Sequence, residues 1–414
     1  MSISTLDVDI LIIGGGVAGA TCAALLARQN HRVALIDGRQ PKFEPAEGEF
    51  DLRVVAISPG SQRVLAAAGA WPRLARNRLA PYRSMQVHSE GLSVKFESAD
   101  HGLPELGWIV EIPALETALW ESLEALDNVE LLAPQRWTEL EQSAETVRVR
   151  LADGSSVRAG LVVAADGARS RVRRLAALDA DEWHYNQHAL VGPVSTTTPN
   201  TGIAWQRFTE HGPLALLPLP DGRSSIVWSL PTEQAERFFQ ASDDDFVAEL
   251  NRHQDSPFGA ALSVGRRGTL QLVHRRARKL VKQRLVLLGD AARSVHPLAG
   301  QGLNLGLMDA AALAEVMDSE AAFETRQALA RYERWRLSAG SLIGGGIHAI
   351  NETVRAPGGL GRHALGAGFA VAARAWPLRE AFVRHACGID SDSPRLAREV
   401  VGWQAQGHAS DPVR

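Results

Sequence analysis

Gly14, Gly16 and Gly19 stand at the G-x-G-x-x-G spacing, a pattern that can bring a phosphate against bare backbone. Gly14 permits a tight turn, Gly16 lets the main chain approach a pyrophosphate, and Gly19 allows the following helix to pack closely on the preceding strand. The unpaired N–H groups at the start of that helix then face the anion. Asp37, about 20 residues further on, is placed to accept hydrogen bonds from ribose hydroxyls. Two more acids follow apolar runs: Asp166 in Asp166-Gly167-Ala168-Arg169-Ser170, and Asp290 in Gly289-Asp290-Ala291-Ala292. The second leads into the glycine-rich stretch Gly300-Gln301-Gly302-Leu303, whose backbone N–H groups can meet a polar ring edge while Asp290 binds a sugar-alcohol hydroxyl.

Such residues need strands that end at the right places. Val8 to Ile13, Arg32 to Ile36, Leu161 to Ala165 and Leu285 to Leu288 read as buried strands, each running directly into one of these turns. Ile10 to Ala27 is long and uncharged enough to imitate a membrane span. Three successive glycines, β-branched residues before them and helix formers after them make it strand, turn and helix instead. With Asp7 and Asp9 ahead of it, the stretch also lacks the basic region of a signal peptide. The glycine pattern says dinucleotide; by itself it does not choose between FAD and NAD.

The chain has 414 residues, more than one core usually holds, so two domains or a large insertion are expected. Lys plus Arg total 44 against 47 for Asp plus Glu, and the net charge of −3 gives no electrostatic reason for a nucleic-acid partner. The two cysteines, Cys22 and Cys387, form neither a C-x-x-C pair nor a metal-ligand spacing; a reducing, cytoplasmic setting fits and no metal is expected. Trp205 to Phe208 and Ser224 to Leu230 read as strands with Asp221-Gly222 as the hairpin turn between them. From Thr325 the chain reads helical up to a glycine-rich passage at Gly344 to Gly346. A further helix over Ala364 to His385 carries Arg374, Arg379 and Arg384, with a kink expected at Pro377. It either packs on the body or rests on a membrane surface.

The glycine fingerprint, the A-D-G-A-R-S-R-V-R segment ending at Arg173 and the G-D-A-A-R-S-V-H-P-L-A-G-Q-G-L-N-L-G segment ending at Gly306 together resemble the flavoprotein hydroxylases of the para-hydroxybenzoate hydroxylase type, most of all those of ubiquinone biosynthesis. The resemblance implies an α/β fold: a Rossmann-like FAD-binding domain, an inserted, mainly antiparallel substrate sheet and a C-terminal helical region. The corresponding division is 1–178 with 270–345 for FAD, 179–269 for the sheet with strands from 81–97 as candidates to join it, and 346–414 for the helical region. It further implies that Gly14, Gly16, Gly19 and Asp37 hold the ADP half, and that Arg53 lies against the flavin or its phosphates. Asp166, Gly289 and Asp290 would serve the sugar-phosphate and ribityl parts, and Pro297, Gly300, Gln301, Gly302 and Leu303 the edge of the ring. Leu214 to Leu219 would line the substrate cavity. NAD(P)H would dock transiently as electron donor, and one oxygen of O2 would pass to an electron-rich phenol.

His296 is the one histidine the third segment would put near the ring, a candidate base for the phenol, with a bracing role beside Pro297 as the alternative. Two departures from the family pattern stand out: Arg293 where histidine is usual, and Ile112-Pro113 after Val110-Glu111 where Asn or Gln often follows. The expected substrate is a polyprenylated phenol or benzoquinol on the route to ubiquinone. A soluble aromatic is the alternative, as is a non-catalytic flavin-fold scaffold. The expected location is the cytoplasm, with a peripheral contact at the inner face of the membrane or a biosynthetic complex as further candidates.

Overall fold

The computed structural model describes residues 4–46, 48–89, 92–295, 301–318, 326–355 and 376–398. His296, Pro297 and Gly300 therefore lie outside the described residues, as does most of the expected 364–385 helix; its described part is Trp376–Ala386, with Pro377 in the first turn.

The apolar runs build a parallel sheet. Strands Leu285–Leu287, Ser156–Ala164, Thr5–Ile13, Val33–Ile36 and Val129–Leu132 lie side by side in that order. A short antiparallel strand, Val281–Lys282, and the hairpin Trp137–Gln142 with Val147–Leu151 complete its eight described members. The strands Ile10 to Ile13 and Val33 to Ile36 are buried on both faces, which is why they contain no alternating polar residues. The helix Val17–Ala27 packs against helices Ile112–Glu124 and Gln301–Met317 and is buried almost all round. This explains the uniformly apolar stretch that imitated a membrane span. No described helix is long and apolar enough to cross a membrane.

Register does the decisive work. Ile13 pairs with both Ala164 and Ile36, and Ala164 pairs with Leu287. The turns beginning at Gly14, Asp37, Asp166 and Gly289 thus leave the sheet along one edge, although the chain separates the first from the last by more than half its length. In an open parallel sheet this carboxyl edge is where ligands bind.

The second sheet has nine described strands, ordered Arg293–Ser294, Gly268–Ala277, Ala180–Thr196, Ser224–Pro231, Pro213–Pro218, Ile203–Phe208, Ser84–Ser89 and Leu92–Glu97, with Ala261–Val264 beside Ala180–Thr196. All pairs are antiparallel except Ile203–Phe208 with Ser84–Ser89. Leu190, Leu214, Leu216, Ile226, Trp228 and Leu230 turn to one face and pack beneath helices Thr232–Gln240 and Asp243–His253. The alternate residues Ala189, Val191, Ala215, Leu217 and Val227 turn to the other face, towards the parallel sheet.

Two expectations need adjustment. The Asp221-Gly222 turn joins Pro213–Pro218 to Ser224–Pro231, because Leu214 to Leu219 itself supplies the strand between the two expected ones. The helix Arg326–Arg355 runs through Gly344 to Gly346 without a break; glycine costs a helix only about 1 kcal/mol each. All of the strand Gly268–Ala277 pairs within the antiparallel sheet.

Candidate active site

Between the carboxyl edge of the parallel sheet and the free face of the antiparallel sheet lies one continuous cavity of about 980 Å³. Its two ends differ in chemistry.

At the sheet edge the wall is backbone. A Cβ at Gly14, where φ is +109°, would lie 2.2 Å from the Ala165 carbonyl oxygen, and one at Gly19 would lie 2.0 Å from that of Gly14. These two glycines are needed by the protein's own packing. Gly16 differs: the nearest atom to a Cβ there is Glu116 Oε1 at 3.9 Å, so nothing in the chain forbids a side chain, and Gly16 lines the cavity. A cradle that packing leaves open is what a phosphate approaching the helix start requires. The turn is braced from behind: Asp37 Oδ2 accepts from Gly15 N at 2.7 Å, its Oδ1 accepts from Arg39 N at 2.9 Å, and Trp120 Nε1 donates to Gly15 O at 2.8 Å.

The other two turns meet this one. Asp166 Oδ2 accepts from the N–H groups of Arg171 and Val172, which caps that short helix, while Asp166 Oδ1 is buried with no partner among the described residues. Arg173, buried, donates to the carbonyls of both Ala168 and Ala291 and so ties the second turn to the third. Gly289, at φ +58°, packs against Ala18 and Gly306, and Asp290 follows it into the cavity. Asp290 is exposed at that cleft, and the protein atoms crowded around it raise its carboxyl above the ordinary value by desolvation, against the opposing pull of Arg293 and Arg275. No donor of the described chain holds it. An unsatisfied carboxylate there fits a hydroxyl-bearing ligand.

Arg293, the departure from the family pattern, points away from chemistry and into the core. It and Arg336 converge on Asp309, which is fully buried, at 2.8 and 2.6 Å, and Asp309 also accepts from Gly289 N. This triad fixes the Asp290 turn to the long helix Arg326–Arg355. Asp309 is an acid flanked by apolar residues on both sides in its helix, from Leu305 to Ala314, and that is the available signal for it. The second departure gives an apolar wall at Ile112, with Glu116 one turn later at the cavity and paired to Arg39 at 2.7 Å. Arg53 also lines the cavity, half-exposed, on a segment held by buried Glu111, which accepts from Asp51 N and pairs with Arg78 at 2.6 Å.

Of the expected site residues, Gly16, Gly19, Arg53, Gly289, Asp290, Gln301, Gly302 and Leu303 line this single cavity. Gly14, Asp37 and Asp166 stand behind its wall and shape it.

At the far end the wall is side chain. Met85, Phe96, Leu106, Leu217, Val227 and Leu272 line it, and Phe382 and Val383 of helix Trp376–Ala386 close one side. Tyr82 and Gln206 are among the polar lining groups that the sequence pattern does not single out, with Ser229 and Gln271 nearby. Burial pushes the Tyr82 phenol well up, so it remains a hydrogen-bond donor at neutral pH. Both lie in strands whose patterns look like ordinary core.

A parallel sheet with phosphate-ready turns at its carboxyl edge, roofed by an antiparallel sheet with an apolar inner face, defines a flavin-dependent oxygenase fold. Residues 7–342 match the family model described as the FAD binding domain, and the chain belongs to that family. It is 36% identical over 407 residues to the ubiquinone hydroxylase UbiL of Rhodospirillum rubrum, a match covering 95% of this chain and 93% of that protein. It is 33% identical over 344 residues to the 3-demethoxyubiquinol 3-hydroxylase of Escherichia coli, covering 82% and 88% respectively. Among solved structures it is similar to pqsL of Pseudomonas aeruginosa, a probable FAD-dependent monooxygenase, with a TM-score of 0.75, 25% identity and coverage of 88% of this chain and 100% of that one. The protein is an FAD-dependent monooxygenase that uses O2 on an aromatic substrate, with NAD(P)H as the electron donor typical of the family.

Proposed function

We propose that this monooxygenase hydroxylates the ring of a polyprenylated phenol or benzoquinol on the route to ubiquinone. The observation that carries the reading is the single cavity whose polar end is backbone and carboxylate and whose other end is apolar and large. The relatives named for ubiquinone hydroxylation, matched over most of their length, support the same substrate class.

In this reading Gly14, Gly16 and Gly19 with the start of helix Val17–Ala27 hold the pyrophosphate, and Asp37 takes the ribose with lone pairs left over from bracing Gly15. Asp166 supports the cofactor by holding the second turn in shape, Gly289 and Asp290 serve the ribityl chain, and Arg53 neutralises nearby phosphate or flavin charge. Gln301, Gly302 and Leu303, in the first turn of helix Gln301–Met317, would present N–H groups to the ring edge. Pro297 and Gly300 would border the same edge and His296 would assist the phenol. Bound FAD, reduced by NAD(P)H, supplies the oxygen-activating chemistry; the chain orients the ring and keeps water out. Tyr82 and Gln206, both at the cavity wall, would hold the ring oxygens, and the apolar wall would keep the reaction dry.

The domain division follows the same logic: 1–178 with 270–345 for the cofactor, 179–269 with strands of 81–97 for the substrate, and 346–414 as a helical flank. Leu270 and Phe382 line the cavity yet are about half exposed, which supports an outlet for an isoprenoid tail. The setting we propose is the cytoplasm, with peripheral contact at the inner membrane face or within a biosynthetic complex.

Holoprotein supplied with NAD(P)H, 18O2 and a short-chain polyprenylphenol should yield one hydroxylated product carrying the label. Turnover of soluble phenols alone, with prenylated ones inert, would transfer the assignment to a soluble aromatic.

A further inference from the structure

On the face of the antiparallel sheet away from the cavity, two histidines from distant parts of the chain meet. His211 sits in the turn between strands Ile203–Phe208 and Pro213–Pro218, and His253 ends the helix Asp243–His253. Their rings lie edge to face, 5.0 Å between centroids, and His253 also packs on Trp228 at 5.3 Å. The carboxylate of Glu210 joins them, and one donor atom from each of Glu210, His211 and His253 lies within 4.8 Å of the others. We propose that Glu210, His211 and His253 bind a divalent transition-metal ion of the zinc class, tying the hairpin to the helix across the face opposite the cavity.

The geometry is close to what such an ion needs. Zinc takes nitrogen and carboxylate oxygen at about 2.0–2.2 Å, so neighbouring ligands in a tetrahedron stand about 3.3–3.6 Å apart. His211 Nε2 and Glu210 Oε1 are already 3.6 Å apart. The two distances to His253, neither above 4.8 Å, must shorten for coordination, and Glu210, whose side chain is 63% exposed, has room to turn towards it. The turn itself is rigid: Thr209 Oγ1 donates to Gly212 O at 2.6 Å, and Gly212, at φ +139°, lies so close to the Ser229 carbonyl that a Cβ would sit 2.2 Å from it. One helical turn before His253, Glu249 Oε1 is 3.2 Å from His253 Nε2. A carboxylate in that place orients a ligand imidazole from behind. Of the adjacent cations, Arg252 pairs with Glu249, while Arg237, which faces His211, lies over the Phe238 ring at 4.7 Å and opposes a cation only at a distance. Exposed Glu210 leaves the fourth coordination position to water.

The alternative is that the two rings only pack on Trp228 and on each other. To separate the readings, FAD-loaded, tag-free protein is stripped with a chelator and titrated with zinc chloride by calorimetry. The expected result is one equivalent bound, with a raised Tm. His211→Ala and His253→Ala should each weaken binding by at least about a hundredfold and abolish the rise in Tm, and Glu249→Gln should weaken it by about 10–100-fold. Should the histidine variants fold poorly, the exposed Glu210→Gln removes a ligand without touching the packing and should still weaken binding at least about tenfold. The flavin spectrum should not change, since the site faces away from the cavity. Absence of stoichiometric binding by the wild type, or unchanged binding in the Glu210→Gln or double-histidine variant, overturns the site.

Discussion

The two ends of the cavity are built by opposite means. At the carboxyl edge of the parallel sheet, turns at Gly14, Asp166 and Gly289 present backbone and a few carboxylates, and almost no side chain is free to change. At the antiparallel roof, Leu217, Val227 and Leu272 present only apolar volume, which many residue combinations could supply. A ligand bound by backbone demands particular φ values and close approaches. A ligand bound by apolar contact demands only space.

The sharpest way to break this contrast is beneath the polar end. Asp309→Ala leaves Arg293 and Arg336 buried without their carboxylate and removes the acceptor for Gly289 N. It should cost about 3–5 kcal/mol of stability and release FAD, both read by thermal unfolding followed through flavin fluorescence.

Next comes a pair of glycines. Gly14→Ala drives a Cβ into the Ala165 carbonyl at a positive φ, costing about 1–3 kcal/mol together with loss of FAD. Gly16→Ala meets nothing in the chain closer than 3.9 Å, so the apoprotein should keep its Tm while FAD affinity falls by about tenfold, about 1.4 kcal/mol. Equal behaviour of the two variants would mean the cradle is a packing feature only.

At the roof, Val227→Ala removes two methyl groups from the wall and should lower kcat/KM by about fivefold to tenfold, about 1 kcal/mol, with flavin content unchanged.

The smallest effect is a pH dependence. Desolvation raises the Asp290 carboxyl in the folded chain. A carboxyl raised in this way contributes fully to stability only below the ordinary carboxylate range, and that contribution is lost as pH rises through the elevated value. Cofactor-free Asp290→Asn should therefore melt higher than cofactor-free wild type near neutral pH, and the gap should close as the solution is acidified.

The same contrast decides what could be read without coordinates. The strands ending at Ile13, Ile36, Ala164 and Leu287 and the turns after them were legible because backbone chemistry restricts residue type. Their convergence on one edge followed from parallel register. At the roof, Pro213–Pro218 was read as a lining segment and not as the strand between its neighbours, since apolar lining and apolar core look alike in sequence. Tyr82 and Gln206 went unnoticed for that reason. The Arg293–Asp309–Arg336 triad joins residues separated by tens of positions, so Arg293 read only as a departure from a pattern. Glu210, His211 and His253 come from a turn and a helix end with no motif spacing between them.

The central claim is that FAD and the aromatic substrate occupy opposite ends of one cavity at the same time. The direct measurement is a titration of FAD-loaded protein with a short-chain polyprenylphenol, following the flavin absorbance and the free FAD released. The account predicts saturable perturbation of the flavin spectrum with FAD retained and a ternary complex formed. Release of FAD in proportion to bound phenol would contradict it.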